Sequence, residues 1–184
     1  MNSSIKIFLI TLLFISCSSP AKEKNVFKNN DTIPVIKKED SKPVPVSDYF
    51  KVAGDSAEIP TFEIQVELSD KAEKKLKDQK ESVIVTAYFN GIPKDTTKYM
   101  KDGHYAVGAN SIELTNSRNA IFKGVKISKD EYESLASKDI EVLINIYSGR
   151  RSSEMNLLDC DILEKPISEV RGQKFIIKGK LIGE

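Results

Sequence analysis

Four places in this 184-residue chain combine residue types that can do chemistry. Asp102-Gly103-His104 sets the only imidazole two residues from a carboxylate, as in a general base and its orienter. Cys160 lies between Asp159 and Asp161 in an otherwise apolar stretch, Leu157 to Leu163. Arg150-Arg151 gathers two guanidinia among Ser148, Ser152 and Ser153, a donor set suited to carboxylates or phosphates. Cys17 closes an apolar run from Ile7 to Ile15 that only Thr11 interrupts.

Most of this chemistry has a plainer reading. No G-x-S-x-G elbow accompanies His104, and no second thiol is placed to act with it, so a solvated loop histidine is expected and no catalytic residue is assigned. Cys160 alternates with Leu158 and Ile162, which points to a small buried hydrophobe rather than a nucleophile. Asp159 and Asp161 supply too few oxygens for calcium, and two cysteines with one histidine are a poor zinc set. No metal and no dissociable cofactor is therefore expected. The 28 basic and 27 acidic residues leave a net charge of +1, no field for nucleic acid or for an acidic substrate. Arg150 and Arg151 remain as candidate partner-binding residues. They are expected at the tip of a hairpin joining strands 140–147 and 157–163, where Glu154 or Asp159 would brace Arg151 if the role were structural.

The leading segment has a character of its own. Lys6 precedes an apolar run too short for a spanning helix, which needs roughly 20 apolar residues, but long enough for the core of a signal peptide. It ends in Phe14-Ile15-Ser16-Cys17 rather than in a small-x-small cleavage site. This resembles the lipobox of bacterial lipoproteins, with Phe14 where leucine is most usual. The resemblance covers residues 1 to about 20. It implies cleavage before Cys17 and a covalent lipid on that residue, thioether-linked through the thiol, with a further acyl chain on the new amino terminus. One acyl chain binds a membrane only marginally at about 0.8 kcal/mol per buried methylene, whereas several anchor firmly. Ser18 in place of aspartate after the lipid site implies the outer membrane, on its periplasmic face or at the cell surface.

Behind the anchor, residues 17–59 read as a lipidated cysteine and a disordered tether. Pro20, Pro34, Pro43 and Pro45 stand among interspersed charges with neither helical nor strand period. Residues 60–184 read as one globular domain, of ordinary domain size.

Within that domain the elements follow from period and punctuation. Phe62, Ile64, Val66 and Leu68 alternate with polar residues, which predicts a half-buried strand. A short helix is expected over 70–77, strands over 82–89 and 120–127, and a long polar loop from Asn90 to about Ser111. Ser128 and Glu131 have capping-box spacing and predict a second short helix to about Ala136. Further strands are expected at 112–114, 140–147, 157–163 and 175–182. Ser69, Leu76, Val83 and Tyr88 recur as Ser128, Leu135, Val142 and Tyr147, each at an offset of 59 residues, which suggests a strand–helix–strand unit used twice. The fold class expected is mainly β: an antiparallel two-sheet sandwich with two short helices, with an α+β domain carrying both helices on one face as the alternative.

The functional expectation follows from the anchor and from the missing catalytic set. It is a membrane-anchored lipoprotein, not an enzyme, whose β domain binds an envelope protein partner, as a component of an envelope or secretion assembly would. A lipid-anchored inhibitor or immunity protein is the alternative, and an enzyme ranks last. Apart from the membrane, reached through the lipid, the partner expected is a protein and not nucleic acid.

Overall fold

A computed structural model describes residues 45–99 and 105–184. The described chain is mainly β, a sandwich-like stack of largely antiparallel sheets with a few short helices. In chain order the strands are β1 (Lys51–Ala53), β2 (Ser56–Glu58), β3 (Phe62–Leu68), β4 (Val83–Gly91), β5 (Tyr105–Leu114) and β6 (Asn119–Phe122). They continue with β7 (Lys126–Ser128), β8 (Glu141–Ser148), β9 (Leu158–Cys160), β10 (Leu163–Pro166) and β11 (Lys174–Leu181). The helices are α1 (Asp70–Gln79), α2 (Thr96–Tyr99), α3 (Lys129–Ser134) and α4 (Ile167–Val170). One sheet runs β10-β8-β4-β5, a second β6-β3-β11-β9, and a third, smaller one β1-β2-β7.

One core joins them. Val83, Val85, Ala87 and Phe89 of β4 and Val142, Ile144 and Ile146 of β8 belong to the same cluster as Phe62, Ile64 and Val66 of β3. Phe62 stacks on Phe122 with ring centroids 4.8 Å apart. The alternation seen in the sequence is thus the alternation of burial, one face in the core and one outside.

Both predicted helices form, and for the reason given by their first residues. Ser69 accepts the Ala72 N–H at 3.2 Å and caps α1. Ser128 accepts the Glu131 N–H at 3.1 Å while Glu131 reaches back to the Ser128 N–H at 3.2 Å, a complete capping box. Leu76 and Leu135, 59 residues apart, are both fully buried. In the β4–β8 pairing Thr86 lies opposite Asn145, again 59 residues on. An antiparallel pair has a local two-fold axis through any facing pair, so here the axis relates each residue to its counterpart 59 positions later. The repeat therefore matches a geometric symmetry at the sheet centre, although β3 and β7 enter different sheets.

Several expectations are corrected. Folded chain begins before residue 60. Val46–Tyr49 forms a 3-10 turn, the Arg171 guanidinium sits 3.7 Å over the Tyr49 ring, and Phe50, 6% exposed, lies 5.1 Å from the Tyr132 ring. Ala57 and Ile59 are buried too, so residues 46–59 are held by aromatic and apolar contacts and do not belong to a tether. Much of the expected loop to Ser111 is the long strand β5, whose Ala, Gly and Asn residues carry little strand propensity but pair with β4 throughout. The strand expected at 120–127 is two strands in two sheets, because Gly124, at φ +70°, turns the chain between them. The stretch 157–163 is likewise divided between β9, on β11, and β10, on β8. There is no hairpin of β8 with β9, since β4 and β10 already occupy both sides of β8. Finally, β11 pairs parallel to β3 within the otherwise antiparallel sheets. These strands lie far apart in the chain, so no tight turn obliges them to run oppositely.

Candidate functional site

The connection from β8 to β9 carries both arginines, and three contacts fix its base. Ser148, fully buried, donates its N–H to Asn156 Oδ1 at 2.9 Å, and its hydroxyl accepts the Leu157 N–H at 3.0 Å. The Gly149 N–H donates to the Ser82 carbonyl at 2.9 Å. A Cβ at residue 149 would collide with the Ser82 hydroxyl, so only glycine allows the approach.

Glu81 then gathers the loop. It is 5% exposed, and its carboxylate accepts the N–H groups of Arg151 at 2.9 Å, Ser152 at 2.8 Å and Ser82 at 3.0 Å, together with the Ser152 hydroxyl at 2.9 Å. Burial by itself would raise the Glu81 pKa. The donors from Ser152 and Arg151, then Ser82, outweigh it and hold the carboxyl below its ordinary value. The Arg151 side chain turns to Glu113, with Nε at 2.9 Å and a terminal nitrogen at 2.8 Å from the same oxygen. That oxygen also accepts the Ser82 hydroxyl at 2.5 Å. The Ser82 hydrogen bond first, and Arg151 second, lower the Glu113 pKa. Arg151 is therefore fastened through backbone and side chain to two carboxylates, neither of which is Glu154 or Asp159. Asp159 lies 3.9 Å from Lys180 instead.

Arg150 behaves differently. Its backbone is left-handed, at φ +56°, and its guanidinium carbon sits 6.0 Å from the centroid of the Tyr147 ring. It borders an open groove of about 440 Å³ with Ile84, Tyr88, Asn145, Tyr147 and Asn156. The groove lies on the outer face of the β10-β8-β4-β5 sheet. Pairing sets Ile84 opposite Tyr147, Thr86 opposite Asn145 and Tyr88 opposite Leu143, so these six side chains share that face. The local two-fold axis gives it matched halves, with Ile84 answering to Leu143 and Tyr88 to Tyr147. Thr86, 3% exposed, makes hydrogen bonds with the Ser111 hydroxyl at 2.8 Å and the Tyr147 hydroxyl at 3.2 Å, which orients the second ring. Tyr88 stays 37% exposed. Two rings, aliphatic side chains, an arginine and two amides form a mixed surface, with the polar pair Thr86 and Asn145 between the two tyrosines. Aromatic residues and arginine are the types enriched at binding hot spots.

The remaining candidates fall elsewhere. Cys160 is half-buried against Gly179, and burial first, then Asp159 and Asp161, push its thiol up to about 11. It is protonated at neutral pH and a poor nucleophile. Ile162, expected on the same buried face, is 68% exposed because β9 ends at Cys160. Among the described residues no group of three or more His, Cys, Asp or Glu side chains is placed to hold a metal. Cys17, Asp102 and His104 lie outside the described residues.

Glu81, Glu113, Tyr88 and Tyr147 were not among the sequence candidates. The 59-residue offset already singled out both tyrosines as a matched pair, so that signal was present. Nothing local marks Glu81 or Glu113: apart from the Ser82 N–H on Glu81, their partners are 31 to 71 residues away. No protein-family model, curated protein or solved structure matches the chain.

Proposed function

We propose that this protein is a lipoprotein held on the outer membrane through lipid on Cys17, and that its β domain binds an envelope protein through the groove beside Arg150. The lipobox-like sequence at Phe14-Ile15-Ser16-Cys17 supports the anchor. The observation that carries the binding role is the pairing of Tyr88 and Tyr147 with Arg150 on an outer sheet face. Such rings bury much apolar area at small entropic cost, and the guanidinium selects a carboxylate-bearing partner.

The reading is of binding, not turnover.

Two arms test it in cells. Cys17→Ala should abolish lipid modification and release the protein from the membrane fraction; unchanged mass and partitioning would refute the anchor. A photo-cross-linking residue in place of Tyr88 should give one discrete adduct with another envelope protein, absent when the cross-linker replaces exposed Lys178 of β11. Equal adducts from both positions would refute the groove.

A further inference from the structure

The β10-β8-β4-β5 sheet has two edges, and they are treated differently. β10 is four residues long and ends in Pro166, which offers no N–H. Lys165 pairs with Glu169 of α4, which follows β10 directly. These are the usual means of blunting an edge against strand addition: shortness, proline, charge and an adjoining helix. β5, at the other edge, is neither short nor interrupted by proline; its one charge is Glu113, and its pairing with β4 is irregular only at Val107, so that Gly108–Leu114 forms a regular edge. It is ten residues long, Tyr105–Leu114, without proline, lysine or arginine. Among the described residues it is hydrogen-bonded to β4 along one side, and no strand occupies the other. Other edge strands of the sandwich, β1, β6 and β9, have three, four and three residues.

We infer that β5 is a self-association edge, where a second copy of this chain adds its own β5 antiparallel and makes one continuous eight-stranded sheet. The composition of β5 fits itself. Glu113 is its single charged residue and is already paired with Arg151 at 2.8 Å, so a two-fold pairing about Asn110 sets no like charges opposite each other. It sets Ala109 against Ser111, two small exposed residues on the groove-bearing face, which lets the backbones approach without a side-chain clash. The net charge of +1 adds no appreciable repulsion between copies. The inference does not depend on the anchor or on the partner groove, and it would place two grooves on one face of the joined sheet.

A charge swap on the full chain in detergent tests it, with molecular mass read by sedimentation over a range of concentrations. The parent chain should show a reversible dimer. Ser111→Lys and Ser111→Glu should each weaken it at least about tenfold, since either sets like charges close together across the dyad. An equimolar mixture of the two variants should recover a mixed dimer. Both variants also lose the Ser111–Thr86 hydrogen bond, so Ser111→Ala, which loses it without adding charge, is the control for folding and should keep the dimer. A parent chain that remains monomeric at every concentration would overturn the proposal, and so would a dimer indifferent to both substitutions. A dimer weakened by each variant yet not restored in the mixture would also overturn it, because the strands would then not face each other.

Discussion

Arg150 and Arg151 are neighbours in the chain and belong to two different regions of the molecule. Arg151 is part of a knot of hydrogen bonds around Glu81 and Glu113, in which its backbone N–H and its guanidinium both have partners. Arg150, turned by a left-handed backbone, borders the open groove with Tyr88 and Tyr147. In the knot a buried carboxylate meets four donors within 3.0 Å. In the groove the rings remain partly in water. The difference teaches that a charged pair in a turn is not one functional unit. The knot fixes the loop, and that fixing lets its neighbour project from a rigid scaffold.

The largest effect should come from untying the knot. Glu81→Ala leaves the N–H groups of Arg151, Ser152 and Ser82 without their carboxylate acceptor. The expected loss is about 3 kcal/mol, or roughly 10 °C in melting temperature, by calorimetry. A change of a degree or less would show that the loop is held by other means and would dissolve the contrast between the regions. The same carboxylates set a pH dependence. Both have folded pKa values below the ordinary 4.5, so they stabilise the fold above that value, and the stabilisation is lost as pH falls through the lower folded values. Melting of the parent chain should therefore fall more steeply below about pH 4.5 than melting of Glu81→Gln, which has no charge to lose.

A smaller effect is expected from Arg151→Ala. Its partner Glu113 is exposed and its backbone N–H survives the change, so melting should drop only slightly. Thiol or spin labels placed on Ser153 should nevertheless report a looser loop. Labels as immobile as in the parent chain would show that the side chain contributes nothing to the knot.

How much of this was legible in the sequence depended on how local the cause was. Period-two alternation marked β3, short apolar runs marked β4, β8 and β11, and the serine caps marked α1 and α3, because each rests on residues within a few positions. β5 was hidden because Ala106, Gly108, Ala109 and Asn110 are poor strand formers made into a strand by pairing with β4. The split of 120–127 turned on one glycine and on which sheet each half joins. The docking of Tyr49 and Phe50 depends on Arg171 and Tyr132, more than 80 residues away. At the site, the sequence marked the arginines by type and could not divide them. Only the fold brings Glu81 to Arg151 and Tyr88 to the groove beside Arg150. The 59-residue offset was the exception. It marked Tyr88 and Tyr147 as a matched pair without giving either a role in the site.

The division of labour between the arginines can be read in one paired measurement. The full chain carries a photo-cross-linking residue in place of Tyr88 in cells, with Arg150→Ala or Arg151→Ala added, and adduct yield and melting temperature are determined for each. Arg150→Ala should keep its stability within about 0.5 kcal/mol, as exposed positions do, and lose most of the adduct. Arg151→Ala should lower the melt slightly and keep the adduct per folded molecule. The reverse pattern, with capture lost at Arg151 and retained at Arg150, would contradict the account.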